Sequence, residues 1–279
     1  MRLERAWLAL REHQDYPPAV QSLLGEAVGA VVLLAATLKF NGTLTLQLQG
    51  KGLVNLLVAQ CTHDFKVRGM ANHDAAAHME DSAGFRALVG DGQIVVTVEA
   101  SDRASSYQGV VPISGETLSQ CLEAYFLQSE QLPTRVALAA TPGAVSGMLV
   151  QRIPGEGGTQ VSDPAALESA WMKVDHAMLG LSAASLIEDD VEQRLVRMFG
   201  DDEVRVFSGH EVVHECRCSR ERVANVLRSL GVEEVRSVIA EQGAVTVTCE
   251  FCQRPYRFDP IDAEQLFAEG APKGSDAIN

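Results

Sequence analysis

Four of the six cysteines crowd into the last quarter of the chain as two tight pairs. They are Cys216-Arg217-Cys218 and, after thirty intervening residues, Cys249-Glu250-Phe251-Cys252. The N-terminus opens Met1-Arg2-Leu3-Glu4-Arg5, with an acid where a secretory signal would build an apolar stretch. The expected setting is therefore a reducing cytoplasm, where paired cysteines point to metal binding or redox chemistry rather than to structural disulfides.

Two close pairs separated by a few tens of residues suit a tetrahedral zinc site with Cys216, Cys218, Cys249 and Cys252 as ligands, although Cys-x-Cys is rarer than Cys-x-x-Cys. Four unconnected buried thiols are the plain alternative, and two paired spacings in one short segment argue against it. A thioredoxin-like redox motif is disfavoured because Cys249 and Cys252 follow a strand pattern without opening a helix. His210 and His214 lie close enough in sequence to replace a cysteine, giving a mixed site.

Around the pairs, Ser219 is placed to cap a helix whose Val223, Val226, Leu227 and Leu230 share a face, and Gly231 stops it. Val235, Val238 and Ile239 mark a second helix. Val245-Thr246-Val247 and Tyr256-Arg257-Phe258 read as the arms of a hairpin that carries Cys249 and Cys252 on its turn. Residues 207–279 number only 73, too few for a core alone to hold with ease. Structural zinc contributes on the order of 10–16 kcal/mol in small modules, against ~5–15 kcal/mol for a whole domain. Zinc loss is thus expected to unfold this tail. Any disulfide among the four would expel the metal, because ligands at ~2.3 Å from zinc hold their sulfurs well beyond the ~2.05 Å of an S–S bond.

Upstream, residues 1–162 read as a sheet-based α+β core domain. Pro17-Pro18 precedes an apolar helix over 19–38, whose uncharged run 27–38 is shorter than the ~20 residues of a membrane span and reads as buried. Strict alternation in Thr43–Gln49 signals a strand with one buried face. Further strands are expected at Leu53–Val58, Gln93–Val98, Arg135–Ala140 and Gly147–Arg152, with a helix over about 114–129. The turn-rich Ile153–Thr159 marks a break. Residues 163–206 read as a helical linker, with Leu186, Ile187, Val191, Leu195 and Met198 on one helix of 186–199 and acids Glu188, Asp189 and Asp190 near its start. Such a stripe must borrow a surface to bury itself. Cys61 and Cys121 sit in apolar surroundings and are expected to pack as small core residues.

Charge divides along the chain. Residues 1–162 hold 15 acids and 11 bases, net −4, and residues 163–279 hold 22 acids and 12 bases, net −10, which together make the −14 of the whole. An acidic tail is a poor partner for nucleic acid or an anionic membrane, so neither is expected.

The cysteine motifs Cys216-Arg217-Cys218-Ser219-Arg220-Glu221-Arg222 and Cys249-Glu250-Phe251-Cys252 resemble those of the 33 kDa chaperonin family, the redox-regulated heat-shock chaperones of bacteria. So do Ala36–Phe40, Leu46–Gly50, Tyr107–Val111 and Ser129–Arg135, and the resemblance runs from about Tyr16 to Phe267. It implies an ATP-independent holdase rather than an enzyme, with one zinc per chain in the reduced form. Under oxidative stress, Cys216–Cys218 and Cys249–Cys252 disulfides would form, zinc would leave, and the 207–279 switch and the linker would unfold. Apolar surface would then meet unfolded or partly unfolded clients, and the activated form would be a homodimer. The family pattern also places a strand before the first helix, for which a chain starting at Met1-Arg2-Leu3-Glu4 has few residues.

Rival readings are a zinc-ribbon-type adaptor and a thiol oxidoreductase. Gly155-x-Gly157-Gly158 lacks the helix and last glycine of a dinucleotide fingerprint, and Gly50-Lys51-Gly52 lacks the rest of a phosphate loop. His63, His73 and His78 with Asp64, Asp74, Glu80 and Asp81 match no ligand spacing and read as a polar surface loop.

Overall fold

The computed structural model describes residues 1–100, 106–153, 164–200, 202 and 204–268. By contact the chain divides into two units between Glu215 and Cys216, a little beyond the 206/207 boundary expected from sequence.

In the first unit, β1 (Arg2–Leu3) and α1 (Arg5–Arg11) lead into α2 (Pro18–Thr37). Pro18 suits the first helical turn, where its missing N–H has no partner to lose. The 20-residue helix is long and apolar enough to cross a bilayer, yet 72% of its most apolar window lies buried within the protein. Its one charged residue, Glu26, has its carboxyl pushed up to about 7 by burial. β2 (Gly42–Gly50), β3 (Val54–Thr62) and β4 (Lys66–His73) form an antiparallel meander. After α3 (Phe85–Val89), β5 (Gly92–Ala100) and β6 (Ser106–Pro112) complete its other side. Leu44, Leu46 and Leu48 of β2 are wholly buried, as period-2 alternation requires.

Next, α4 (Leu118–Tyr125) is capped by Thr117 and passes into a π turn at Phe126–Glu130. The helix expected over 114–129 is therefore shorter and changes pitch. β7 (Thr134–Ala140) and β8 (Val145–Gln151) make a second antiparallel sheet, in which β1 pairs with β8 despite its two residues. The linker resolves into α5 (Pro164–Leu179), α6 (Ala183–Glu188) and α7 (Val191–Phe199). β9 (Val213–His214) adds to β4 in parallel, and the six-stranded order is β6-β5-β2-β3-β4-β9.

Two further features of the first unit depart from expectation. Lys66–His73, inside the supposed polar loop, is a strand whose Gly69 breaks the apolar alternation because Leu24 and Val28 of α2 press on it, 3.1 and 3.2 Å from where a Cβ would stand. The single 186–199 helix is two, since Asp190 caps α7 through the amides of Glu192 and Gln193. The turn at 154–159 lies outside the described residues.

The second sheet uses both faces. Val136, Leu138, Val145 and Leu149 join the main core around α2, while Ala137, Ala139, Met148 and Val150 face the linker side chains Met178, Leu186, Leu195, Met198 and Phe199. Of the linker stripe, Leu186 is thus buried on β7 and β8, and Ile187, Leu195 and Met198 pack partly buried beside it. Cys61 and Cys121 are wholly buried in the main core, and burial pushes the Cys61 thiol up to about 12, leaving it inert.

The second unit holds α8 (Arg220–Leu230), α9 (Val232–Gln242), the hairpin β10 (Val245–Thr248) and β11 (Pro255–Phe258), and α10 (Pro260–Ala268). Its core is Val223, Ala224, Leu227, Val235, Val245, Phe258, Ala263 and Leu266. Val226 and Leu230, expected on the buried face, are 55% and 58% exposed, because α10, which sequence reading missed, packs against the α8 face that carries Ala224 instead.

Close approach of α2 to the second sheet rests on Gly25, where a Cβ would stand 2.5 Å from the Cβ of Ala140 and 3.2 Å from the Trp7 ring. Gly→Ala in a helix normally gains about 1 kcal/mol, but overpacking costs about 1–3 kcal/mol. Gly25→Ala should therefore destabilise the protein by about 1 kcal/mol, read as a lower urea midpoint at unchanged slope. A raised midpoint would show that the sheet yields.

Candidate metal centre

Local devices position Cys218 and the hairpin pair Cys249 and Cys252. Ser219 accepts a hydrogen bond from the Arg222 amide at 3.2 Å, and this cap fixes the chain directly after Cys218. Gly231, at φ 97°, ends α8 and starts α9, a backbone state that other residues rarely adopt. On the hairpin turn the Cys249 amide donates to the Arg254 carbonyl at 3.1 Å and the Gln253 amide to the Cys249 carbonyl at 2.8 Å, with Gln253 left-handed at φ 57°. Arg220 pins the hairpin to α8. It stacks over Phe258 at 4.2 Å, donates to the Arg257 carbonyl at 2.7 Å and pairs with Asp262 at 2.8 Å.

The outcome is a cluster of Cys216, Cys218, Cys249 and Cys252 whose sulfurs all lie within 4.8 Å of one another. Cys216 Sγ is 3.7 Å from Cys249 Sγ and Cys218 Sγ 3.4 Å from Cys252 Sγ. A zinc ion with Zn–S of ~2.3 Å needs tetrahedral edges of roughly 3.8 Å, so the donor set fits a soft divalent cation. All six cysteines are free thiols, and the Cys216–Cys249 and Cys218–Cys252 contacts run between the sequence pairs rather than within them.

Electrostatics favours one early thiolate. Burial pushes the Cys218 thiol up, but the hydrogen bond donated by Tyr256 Oη at 3.0 Å and those of the neighbouring thiols outweigh it, bringing Cys218 down to about 7. The same hydrogen bond, then burial, raises the Tyr256 hydroxyl to about 12. Burial raises the thiols of Cys216 and Cys252. Sequence reading saw Tyr256 only as a hairpin arm. Its signal was the position four residues after Cys252, just past the turn and opposite Val247 of β10.

Among the described residues, no other group of three or more His, Cys, Asp or Glu side chains is close enough to share an ion. His210 stacks on Phe65 with centroids 4.8 Å apart, His214 lies in β9, and neither joins the sulfur cluster. Among the described residues, His63, His73 and His78 form no cluster of three or more ligands with their acids.

The family model described as Hsp33 protein matches residues 1–259. The chain belongs to the Hsp33 family. A 33 kDa chaperonin of Chromobacterium violaceum is 40% identical over 270 residues, covering 96% of this chain and 88% of that protein. One from Methylobacillus flagellatus is 39% identical over 265 residues, covering 92% and 85%. A crystal structure of a 33 kDa chaperonin (heat shock protein 33 homolog) from Thermotoga maritima superposes with a TM-score of 0.76 at 24% identity, covering 95% of this chain and 91% of that one, which shows the shared fold. Hsp33 proteins are chaperones and not enzymes, so neither an oxidoreductase nor an adaptor describes the family.

In an Hsp33 centre of this geometry, Tyr256→Phe should leave the fold intact and weaken zinc binding roughly 10–100-fold, the usual effect of removing a partner that orients a ligand. Competition with a chromophoric chelator measures it. Unchanged affinity would mean that the Tyr256 hydroxyl does not support Cys218.

Proposed function

We propose that the chain is a redox-regulated, ATP-independent holdase of the bacterial cytoplasm that keeps unfolded or partly unfolded client proteins from aggregating. The observation that carries this reading is the four-sulfur cluster, with every donor within 4.8 Å, in a unit whose apolar core is small. One zinc, held by Cys216, Cys218, Cys249 and Cys252, supplies the cross-link that keeps residues 207–279 folded in the reduced protein.

Oxidation removes donors. Two thiols lose two protons and two electrons to hydrogen peroxide, which leaves as two waters, and an S–S bond forms. The pairing follows the family, Cys216–Cys218 and Cys249–Cys252. The linker 163–206 then gives up its place, and the apolar face of β7 and β8 becomes available to clients, with the activated form a homodimer. Support for this last step comes from what the linker covers: Ala137, Ala139, Met148 and Val150 make a face that water would otherwise meet.

Zinc release and suppression of aggregation, followed together during timed peroxide treatment, test the whole reading. Reduced protein should carry about one zinc per chain and suppress little, Cys249→Ser should lose most of the metal, and suppression should rise as zinc leaves. Equal suppression by the reduced, zinc-loaded form would overturn the redox control.

The linker's hold is tested separately. Arg194 is 2% exposed and donates from Nη2 to the carbonyls of Leu186 at 2.5 Å and Asp189 at 3.1 Å, fixing the α6–α7 corner, while its Nε has no hydrogen-bond partner. Arg197 also pairs with Asp189. Bonds from a charged donor are worth about 1.5–3 kcal/mol. Arg194→Met should therefore speed hydrogen exchange in 183–199 at least tenfold (about 1.4 kcal/mol) and raise aggregation suppression by the reduced protein, at unchanged zinc content. Accelerated exchange with no gain in suppression would separate the linker from control.

A further inference from the structure

β4 is the last long strand on its side of the six-stranded sheet, and an edge of unpaired amides and carbonyls invites another chain. The outward groups belong to alternate residues. Gln14 Nε2 donates to the Gly69 carbonyl at 2.9 Å, and the Ala71 amide donates to Tyr16 Oη at 3.2 Å, so side chains of the α1–α2 loop close the far half. The near half is closed differently. The Val213 amide donates to the Phe65 carbonyl and the Glu215 amide to the Val67 carbonyl, both at 3.1 Å.

The occupant is an extended segment, His210-Glu211-Val212-Val213-His214-Glu215. Each of its ends is engaged: His210 stacks on Phe65 with centroids 4.8 Å apart, and Glu215 pairs with Lys66 at 3.0 Å. Val212 packs on the core, and Glu211 lies in a cleft of about 360 Å³ lined also by Arg2 and Arg5. The regular pairing covers only two residues, and Val213 is 40% exposed. The next residue in sequence is Cys216.

We propose that the near half of the β4 edge, at Phe65–Val67, is a strand-addition site for clients, held shut by residues 210–215 and taken over by an extended β-branched client segment running parallel to β4. Main-chain hydrogen bonds supply the recognition, which suits a partner defined by being unfolded rather than by its sequence. A second copy of the chain fits less well. Two β4 edges meeting about a two-fold axis would run antiparallel over a longer stretch, and Gln14 and Tyr16 leave only the near half open. The proposal rests on the redox reading for what frees the edge, not for what the edge binds.

Two measurements decide it. In the first, reduced full-length protein and its Val213→Pro variant, which loses the donor to Phe65, are titrated with a fluorescent hexapeptide of the sequence 210–215. The variant should bind it at least tenfold more tightly than the unmutated protein, and not bind the same peptide carrying proline at its fourth position. Equal binding of the two peptides, or no gain in the variant, overturns the proposal without any oxidation step. In the second, exchange of the Val67 amide, on the same side of β4 as its bonded carbonyl, is followed in unmutated protein. It should quicken on oxidation and slow again at least tenfold when a carboxymethylated, permanently unfolded protein is added. If that client binds while Val67 stays fast, or if Val67 never quickens, strand addition falls and the holdase reading stands. If the oxidised protein binds no client, the holdase reading falls and the peptide titration alone decides the edge.

Discussion

A strand points its side chains alternately to two faces, and the sheet of β1, β8 and β7 is apolar on both. Much of the first unit follows from that. One face is covered by α2, which also carries the six-stranded sheet, and glycine at position 25 lets the helix come close enough to seal it. Among the described residues, the other face is covered by the linker. There the linker contributes two fully buried apolar side chains, Met178 and Leu186, worth about 3–6 kcal/mol together at ~1.5–3 kcal/mol each. Against this stand the ordering of three helices, of 16, 6 and 9 residues, and the burial of Arg194 with an unpartnered Nε. The two covers of one sheet therefore differ in kind: the first belongs to the main core, and the second forms a smaller cluster of its own.

The second unit has a parallel weakness. Its core is a handful of side chains from three short helices and a hairpin of two four-residue strands, a size at which apolar burial alone seldom suffices. The sulfur cluster joins the start of α8 to the β10–β11 turn, so the two ends of that core meet at the four donors. Tyr256 and the Ser219 cap are part of the same arrangement, since one polarises Cys218 and the other aims it.

Legibility followed the strength of local signals. The cysteine pairs, the Ser219 cap, the Gly231 stop and the strict alternation of Thr43–Gln49 are short-range patterns, and each appears in the structure where its residues placed it. Features set by distant partners were harder to read. β4 carries Gly69 where alternation wanted an apolar residue, because α2 presses on that point. The α6–α7 break was hidden by a stripe that continues across it, and Arg194 by being a charge within an apolar stripe. His210 and His214 drew attention as alternative ligands. Their backbone turned out to matter more than their rings, since the segment they belong to closes a sheet edge.

That edge gives the segment before Cys216 a role that neither its composition nor its length predicts. A two-residue strand is a weak element in isolation and holds its place through neighbours, here the Phe65–His210 stack and the Lys66–Glu215 pair. Both contacts are on or near the surface, where ion pairs are worth little and salt screens them further. Its other holds are two main-chain hydrogen bonds of 3.1 Å and Val212 on the core, while Gln14 and Tyr16 close the rest of β4. In sequence, this cover ends directly before Cys216, the first cysteine of the cluster. The linker cover on β7 and β8 and the strand cover on β4 are thus two independent closures, one apolar and one of main-chain hydrogen bonds. Between them they match the two things an unfolded chain exposes.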